Sequence, residues 1–363
     1  MWNEEAQTFH GGQDWAHLSN FVEDFSVTTN PLGTPEKALQ RARDAIDTIH
    51  HYPPADFEPA ISDLAKWLWP GPDGGDWQEG HSRLLLGNGA SELIDLVIRD
   101  GPIGYWKPAG PKAVQYKEYE RSAEAAGNVQ LDYTDKRALL TCAVNPNNPT
   151  GEYMPVDEMK AWIEENCADG SHVIIDESMQ LWVGPHWRED SLLQEQQWMQ
   201  DMVDKRGIHV FLMHSWTKIW SCTGVRLGSV VCPTQESLIR IRKKQVPWSV
   251  NSSALAFLSE VVKDEEYMQK TWDITHVWRK HTEDQLLERF PTWTAHGKPF
   301  LSWLWLDTGD EAVADQATAL AKEAGVPVRS GKPGYEEPTK VRIAVRHPDH
   351  LNLLLDAWEP LRA

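Results

Sequence analysis

The sequence predicts an α/β protein: a three-layer αβα sandwich around a mostly parallel sheet, joined to a small α+β domain. Three observations predict it. Between about Ala90 and Cys232, short apolar runs rich in branched residues alternate with segments of helical spacing; the runs are LLTCAV at 139–144, HVIID at 172–176 and IHVFLMH at 208–214, and ASELIDLVI at 90–98 is a helical segment. Each run leads at once into a polar segment, NPNNPTG, DES or HSWTK. Beyond Asn251 the pattern changes to longer helices.

Alternation of strand and helix builds βαβ units, and these give a parallel sheet covered on both faces. Ligands of such sheets bind beyond the carboxyl ends of the strands, so the three polar segments belong to one pocket. We place the large domain at 46–250. The small domain takes both chain ends, 1–45 and 251–363, with helices over Ser253–Lys263 and from Glu265 to about Phe290. A strand, FLSWLWLD, and a helix, EAVADQATALAKEAG, follow. The first 45 residues hold the turn signals HGG, NPLG and TPEK with little periodicity, which suits an arm packed on the small domain and reaching the pocket.

A net charge of -19 repels phosphate backbones and anionic lipid, so nucleic acid and membrane partners are not expected. No long apolar run and no basic leader is present, and Cys142, Cys167, Cys222 and Cys232 lack the spacing of a metal site or a disulfide framework. The expectation is a soluble cytoplasmic protein with reduced thiols and no metal. The 19 tryptophans imply aromatic packing in cores or at a subunit interface.

The strongest local signal is HSWTKIWSCTGVRLG at 214–228, which gathers Ser215, Thr217, Lys218 and Arg226 after a buried strand. Two hydroxyls, an amine and a guanidinium suit a phosphate ester whose aldehyde lies within reach of the amine. Taken alone, a solvated turn with a surface lysine reads the same way. GNGASELI at 87–94 puts small residues at a helix start, where free backbone N–H groups and the helix dipole favour an anion. HVIIDES ends a buried run on Asp176, whose charge is costly to bury without a cation or donors.

SxxK followed by GxRxG resembles the pyridoxal 5'-phosphate (PLP) lysine motif of the class I and II aminotransferases, members of the fold type I PLP enzymes. The resemblance implies that Lys218 holds the cofactor as a Schiff base and later shuttles the α-proton. It places Ser215, Arg226 and Thr217 on the phosphate together with Gly89, Ala90 and Ser91, Asn148 of NPNNPTG on the pyridine O3', and Asp176 on the ring nitrogen. Many members carry tyrosine three residues after the aspartate; here Met179 stands there.

In PKAVQYKEYE at 111–120, Tyr116 takes the position of the ring stacked on the pyridine, with Trp106 as its rival. KVRIAVRHPDHLNLLLDAW at 340–358 places Arg342 at the substrate α-carboxylate, while Arg346 reads as a surface ion pair. The segments FHGG at 9–12, DFSVTTNPLG at 24–33, HHYPPAD at 50–56 and KEYERSAEAAG at 117–127 are similar to threonine-phosphate decarboxylase and histidinol-phosphate aminotransferases. By that likeness Tyr52 reaches the cofactor phosphate of a neighbouring subunit in a homodimer, and His10 and Asn30 face the substrate.

The implied chemistry is transamination of a small L-amino acid or derivative through an external aldimine and a quinonoid. Decarboxylation, and elimination or cyclisation, are the alternatives. A PLP-binding regulator would need a helix-turn-helix segment and a basic face, and the sequence has neither.

Overall fold

The computed structural model describes residues 10–71, 77–111 and 115–362. These residues form two sheets. The larger has seven strands: β1 (Leu84–Asn88), β2 (Tyr105–Pro108), β3 (Val129–Gln130), β4 (Leu140–Val144), β5 (His172–Asp176), β6 (His209–Ser215) and β7 (Leu227–Val231), in the order β1-β7-β6-β5-β4-β2-β3. The smaller has β8 (Thr294–His296), β9 (Trp303–Asp307), β10 (Arg329–Ser330) and β11 (Lys340–Ala344), in the order β10-β11-β9-β8.

Strands β3, β2, β4, β5 and β6 run parallel; β7 alone is reversed, antiparallel to β6 on one side and to β1 on the other, so β1 runs in the common direction. The three apolar runs are β4, β5 and β6. They are buried nearly throughout, as continuous runs of branched residues require when helices cover both faces. The register pairs Val144 with Asp176 and Asp176 with Met213, so β4 and β5 end level and β6 runs on past them to Ser215. Their following turns therefore open on one edge of the sheet.

The helix Ala90–Asp100 buries Leu93, Ile94, Val97 and Ile98, the stripe that a 3.6-residue period presents to a core. Helix Ser252–Val261 begins at Asn251, whose side chain accepts from the Ala254 N–H as an N-cap. The long helix Glu265–Arg289 starts in the same way, with Asp264 accepting from Tyr267 N–H. Leu304 and Leu306 of β9, Val341 and Ile343 of β11, and Leu351, Leu354 and Trp358 of the last helix pack a second core. Seven tryptophans are fully buried, Trp106 among them, so core packing explains much of the abundance. Trp106 thereby drops out as a rival to Tyr116. None of the described helices is long and apolar enough to cross a membrane.

The arm packs along the small sheet, then reaches the large one. The Ala344 N–H donates to Phe25 O at 2.9 Å, and the Asn30 N–H donates to Lys218 O at 2.9 Å. Arg346 makes the expected ion pair, with Glu23 at 3.2 Å, but not at the surface. It is 3 % exposed and its guanidinium donates to the carbonyls of Asp24, Val27 and Thr29. Five donors in a rigid fork suit this clamp on a segment with no ladder of its own.

Candidate active site

A cavity at the carboxyl ends of β4, β5 and β6 is lined by Thr28, Ala90, Ser91, Tyr116, Val144, Asn148, Asp176, Ser178, Met179, Ser215, Thr217, Lys218 and Arg226. Nine of the expected site residues converge there.

Gly89 precedes helix Ala90–Asp100 with φ +76 and ψ 166, a conformation L residues rarely adopt. A Cβ on it would collide with Nη2 of Arg226 and stand 2.9 Å from Cζ. On the other side, a Cβ on Gly228 would lie 2.5 Å from Ala90 N. Two glycines thus let the helix start, β7 and a guanidinium close on one point, with unpaired N–H groups beside a positive charge. The Ser215 and Thr217 hydroxyls, 2.9 Å apart, complete a cradle for a dianionic phosphate.

Lys218 points into the cavity, its Nζ 3.3 Å from Thr217 Oγ1. Burial, then the Arg226 and Arg342 guanidiniums, push its pKa down to about 8, with Asp176 opposing. The amine is thus far more readily deprotonated than a surface lysine, as a Schiff-base nucleophile must be.

Asp176 ends β5 at 5 % exposure. Its Oδ1 accepts from Ser178 N–H at 2.9 Å and its Oδ2 from Tyr119 Oη at 2.8 Å. Burial raises its pKa against those donors and Lys218. A buried carboxylate with two donors and no ion pair among the described residues suits a cationic N–H of a ligand.

Asn148 lines the cavity and accepts from Arg342 Nη1 through Oδ1, a bond that does not use its amide hydrogens. Arg342 also donates to Tyr335 Oη at 3.2 Å and to Ser26 O at 2.6 Å. Arg329, opposite Arg342 in the β10–β11 register, lies 5.5 Å from the Tyr335 ring centroid, so two buried guanidiniums flank one phenol.

Three expected residues lie elsewhere. Asn30 does not face the substrate: it is 2 % exposed, and its side chain donates to Ile219 O and Thr271 Oγ1 while accepting from Leu32 N–H. Its task is to hold the lysine turn against the arm and helix Glu265–Arg289. His10 bonds Glu118 Oε1 at 3.0 Å, its ring 5.9 Å from that of Tyr116. Tyr52 lies outside the cavity, 76 % exposed and stacked on Trp248 at 4.3 Å.

Tyr119 and Ser178 escaped the sequence reading. Ser178 carried a signal, since an aspartate accepting from the N–H two residues on is a recurrent turn. Tyr119 carried none; only the fold brings it to Asp176.

A phosphate cradle, a depressed lysine and a buried carboxylate for a protonated ring nitrogen define a PLP-dependent enzyme of fold type I, and each group fits that cofactor. The chain belongs to the class I and II aminotransferase family, whose model matches residues 22–357. It is 27 % identical over 351 residues to histidinol-phosphate aminotransferase of Hyphomonas neptunium, covering 92 % of this chain and 89 % of that protein. It is 27 % identical over 266 residues to threonine-phosphate decarboxylase of Salmonella typhimurium, covering 69 % and 67 %. The fold matches histidinol-phosphate aminotransferase from Sinorhizobium meliloti in complex with pyridoxal-5'-phosphate, with TM-score 0.79, 15 % identity and coverage of 99 % and 97 %. The protein is an aminotransferase-type enzyme and its cofactor is PLP.

Proposed function

We propose that this enzyme acts on a small L-amino acid or its derivative, with Lys218 as cofactor-bearing amine and proton carrier, Asp176 on the ring nitrogen and Arg342 on the substrate carboxylate. PLP supplies an electron sink for charge released at the substrate Cα. The chain's own groups do the rest. Gly89, Ala90, Ser91, Ser215, Thr217 and Arg226 hold the phosphate, Asn148 donates to O3', and Tyr116 packs on the ring. Lys218, with its pKa held down to about 8 and so readily deprotonated, takes and returns a proton at Cα. The observation that carries the reading is the convergence of Lys218, Asp176 and the Gly89–Arg226 cradle on one cavity.

A second reading, decarboxylation of a phosphorylated amino acid, is favoured by the pair Arg342 and Arg329 about Tyr335. Two fixed cations suit a substrate with two anionic groups. Elimination or cyclisation is the third outcome that the same groups support. We also propose a homodimer, with the large domain at 46–250 and the arm and small domain from 1–45 and 251–363. The exposed surface of Ile46, Ile49, Tyr52 and Trp248 supports it, since aromatic residues are enriched in interface cores. His10, beside Tyr116, remains our assignment for the substrate side of the arm.

The test is an absorbance spectrum of the purified protein and of Lys218→Ala, followed by incubation with L-amino acids, phosphorylated and guanidino-bearing ones included, and mass detection. A band at about 410 to 430 nm that vanishes in the variant supports the assignment of Lys218. Product masses separate transamination from loss of carbon dioxide and from cyclisation. A protein that stays colourless with added PLP overturns the reading.

A further inference from the structure

We propose that Tyr119 is a positioning residue for the cofactor: its phenol fixes Asp176 so that the carboxylate faces the ring nitrogen with its charge intact. The inference rests on the assignment of Asp176, which the Asp176→Asn variant tests separately.

The case starts from where the two tyrosines of one helix lie. Tyr116 caps helix Lys117–Ala125 and lines the cavity. Tyr119, one turn on, is 2 % exposed and lies behind it, the rings edge-on at 6.1 Å. Its hydroxyl has one recorded partner, Asp176 Oδ2 at 2.8 Å. Burial and the neighbouring carboxylate hold the phenol proton on oxygen at every working pH, so Tyr119 is always the donor.

Asp176 needs such a donor. Its Oδ1 is held by Ser178 N–H, two residues along the same backbone. Ser178 in turn accepts, through Oγ, from Ser215 N–H at 2.7 Å, so this side is fixed by strand geometry. Without Tyr119, Oδ2 would lose its phenol donor and the carboxyl would be held from the Ser178 side alone, a looser restraint on χ2, which is a broad torsion. The other titratable groups around the pair are Lys218, Tyr116, Glu177 and Cys142, and none of them bonds Asp176. Helix Lys117–Ala125 thus serves the cofactor twice, once at the ring face and once through the aspartate.

The experiment compares wild type, Tyr119→Phe, Asp176→Asn and the double variant. Each apoprotein is titrated with PLP by absorbance between pH 5 and 9, and melting of the apoproteins is followed in parallel. Tyr119→Phe is expected to bind PLP about tenfold more weakly near neutral pH, the size expected for one hydrogen bond to a charged group. Removing the donor favours the protonated carboxyl, so affinity is expected to fall with acid at a higher pH than in wild type. In the Asp176→Asn background the same change is expected to add little, because the two residues act as one unit. A Tyr119→Phe protein with wild-type affinity and pH profile, whatever its melting temperature, overturns the proposal. So does a loss that persists at full size in the Asp176→Asn background.

Discussion

Gly89 and Arg226 cannot both keep their places if Gly89 gains a side chain. The glycine backbone holds a positive φ, and the guanidinium occupies the space a Cβ would take. Gly89→Ala must therefore either move Arg226 away from the proposed phosphate site or unwind the turn. We expect at least about a tenfold loss of PLP affinity, measured by titrating apoprotein, since an L residue at this φ costs roughly 1–2 kcal/mol even before the collision.

Cofactor loading should titrate with Lys218. The amine must be neutral to attack the aldehyde, and its pKa is held down to about 8 by burial and two guanidiniums. The loading rate is expected to rise with pH and level off above about pH 8, rather than climbing to the ordinary lysine value near 10.5. Stopped-flow absorbance across pH 6.5 to 10 reads this. A rate still rising steeply at pH 10 contradicts the buried amine.

Arg342→Gln removes a cation and leaves Asn148 Oδ1 and Ser26 O without their donor. We expect kcat/KM to fall on the order of a hundredfold for an anionic substrate. Because Asn148 also loses its anchor, kcat should fall along with the rise in KM. An effect on KM alone would argue that Asn148 is held by something else.

His214 lies beneath the site, fully buried and stacked on Trp216 at 4.8 Å, and neither ring nitrogen has a partner among the described residues. Burial pushes its pKa down to about 3, and that of His172 to about 4. Both folded values lie below the unfolded value near 6.5. Below that pH the unfolded chain binds the extra protons, so this contribution is complete above pH 6.5 and is lost on acidification toward 4. His214→Phe should raise the melting temperature at pH 5 more than at pH 8. Equal shifts at both would show that the ring is not titrating.

Much of the cavity that we propose for the cofactor is legible in the sequence because its parts are local. SxxK with GxRxG, the asparagine of NPNNPTG and the aspartate ending HVIID each follow one strand, and the parallel register brings those strand ends to one edge of the sheet. What is illegible depends on contacts across long separations. Tyr119 meets Asp176 across 57 residues, and Asn30 reaches Ile219 across 189. Arg346 looks like a surface cation until carbonyls more than three hundred residues away are seen around it. A polar residue inside an arm without periodicity gives no sign of which way it turns.

That clamp also governs when the molecule can be finished. More than three hundred residues separate Arg346 from the carbonyls of Asp24, Val27 and Thr29 that it holds, so during synthesis the arm exists long before its clamp. Since the arm in turn grips the Lys218 carbonyl, the lysine turn lacks its fully clamped brace until Arg346 has been made. Contacts of such high sequence separation are slow to form. The lysine turn therefore comes under its final restraint only after Arg346 has closed on the arm, a contact between segments more than three hundred residues apart.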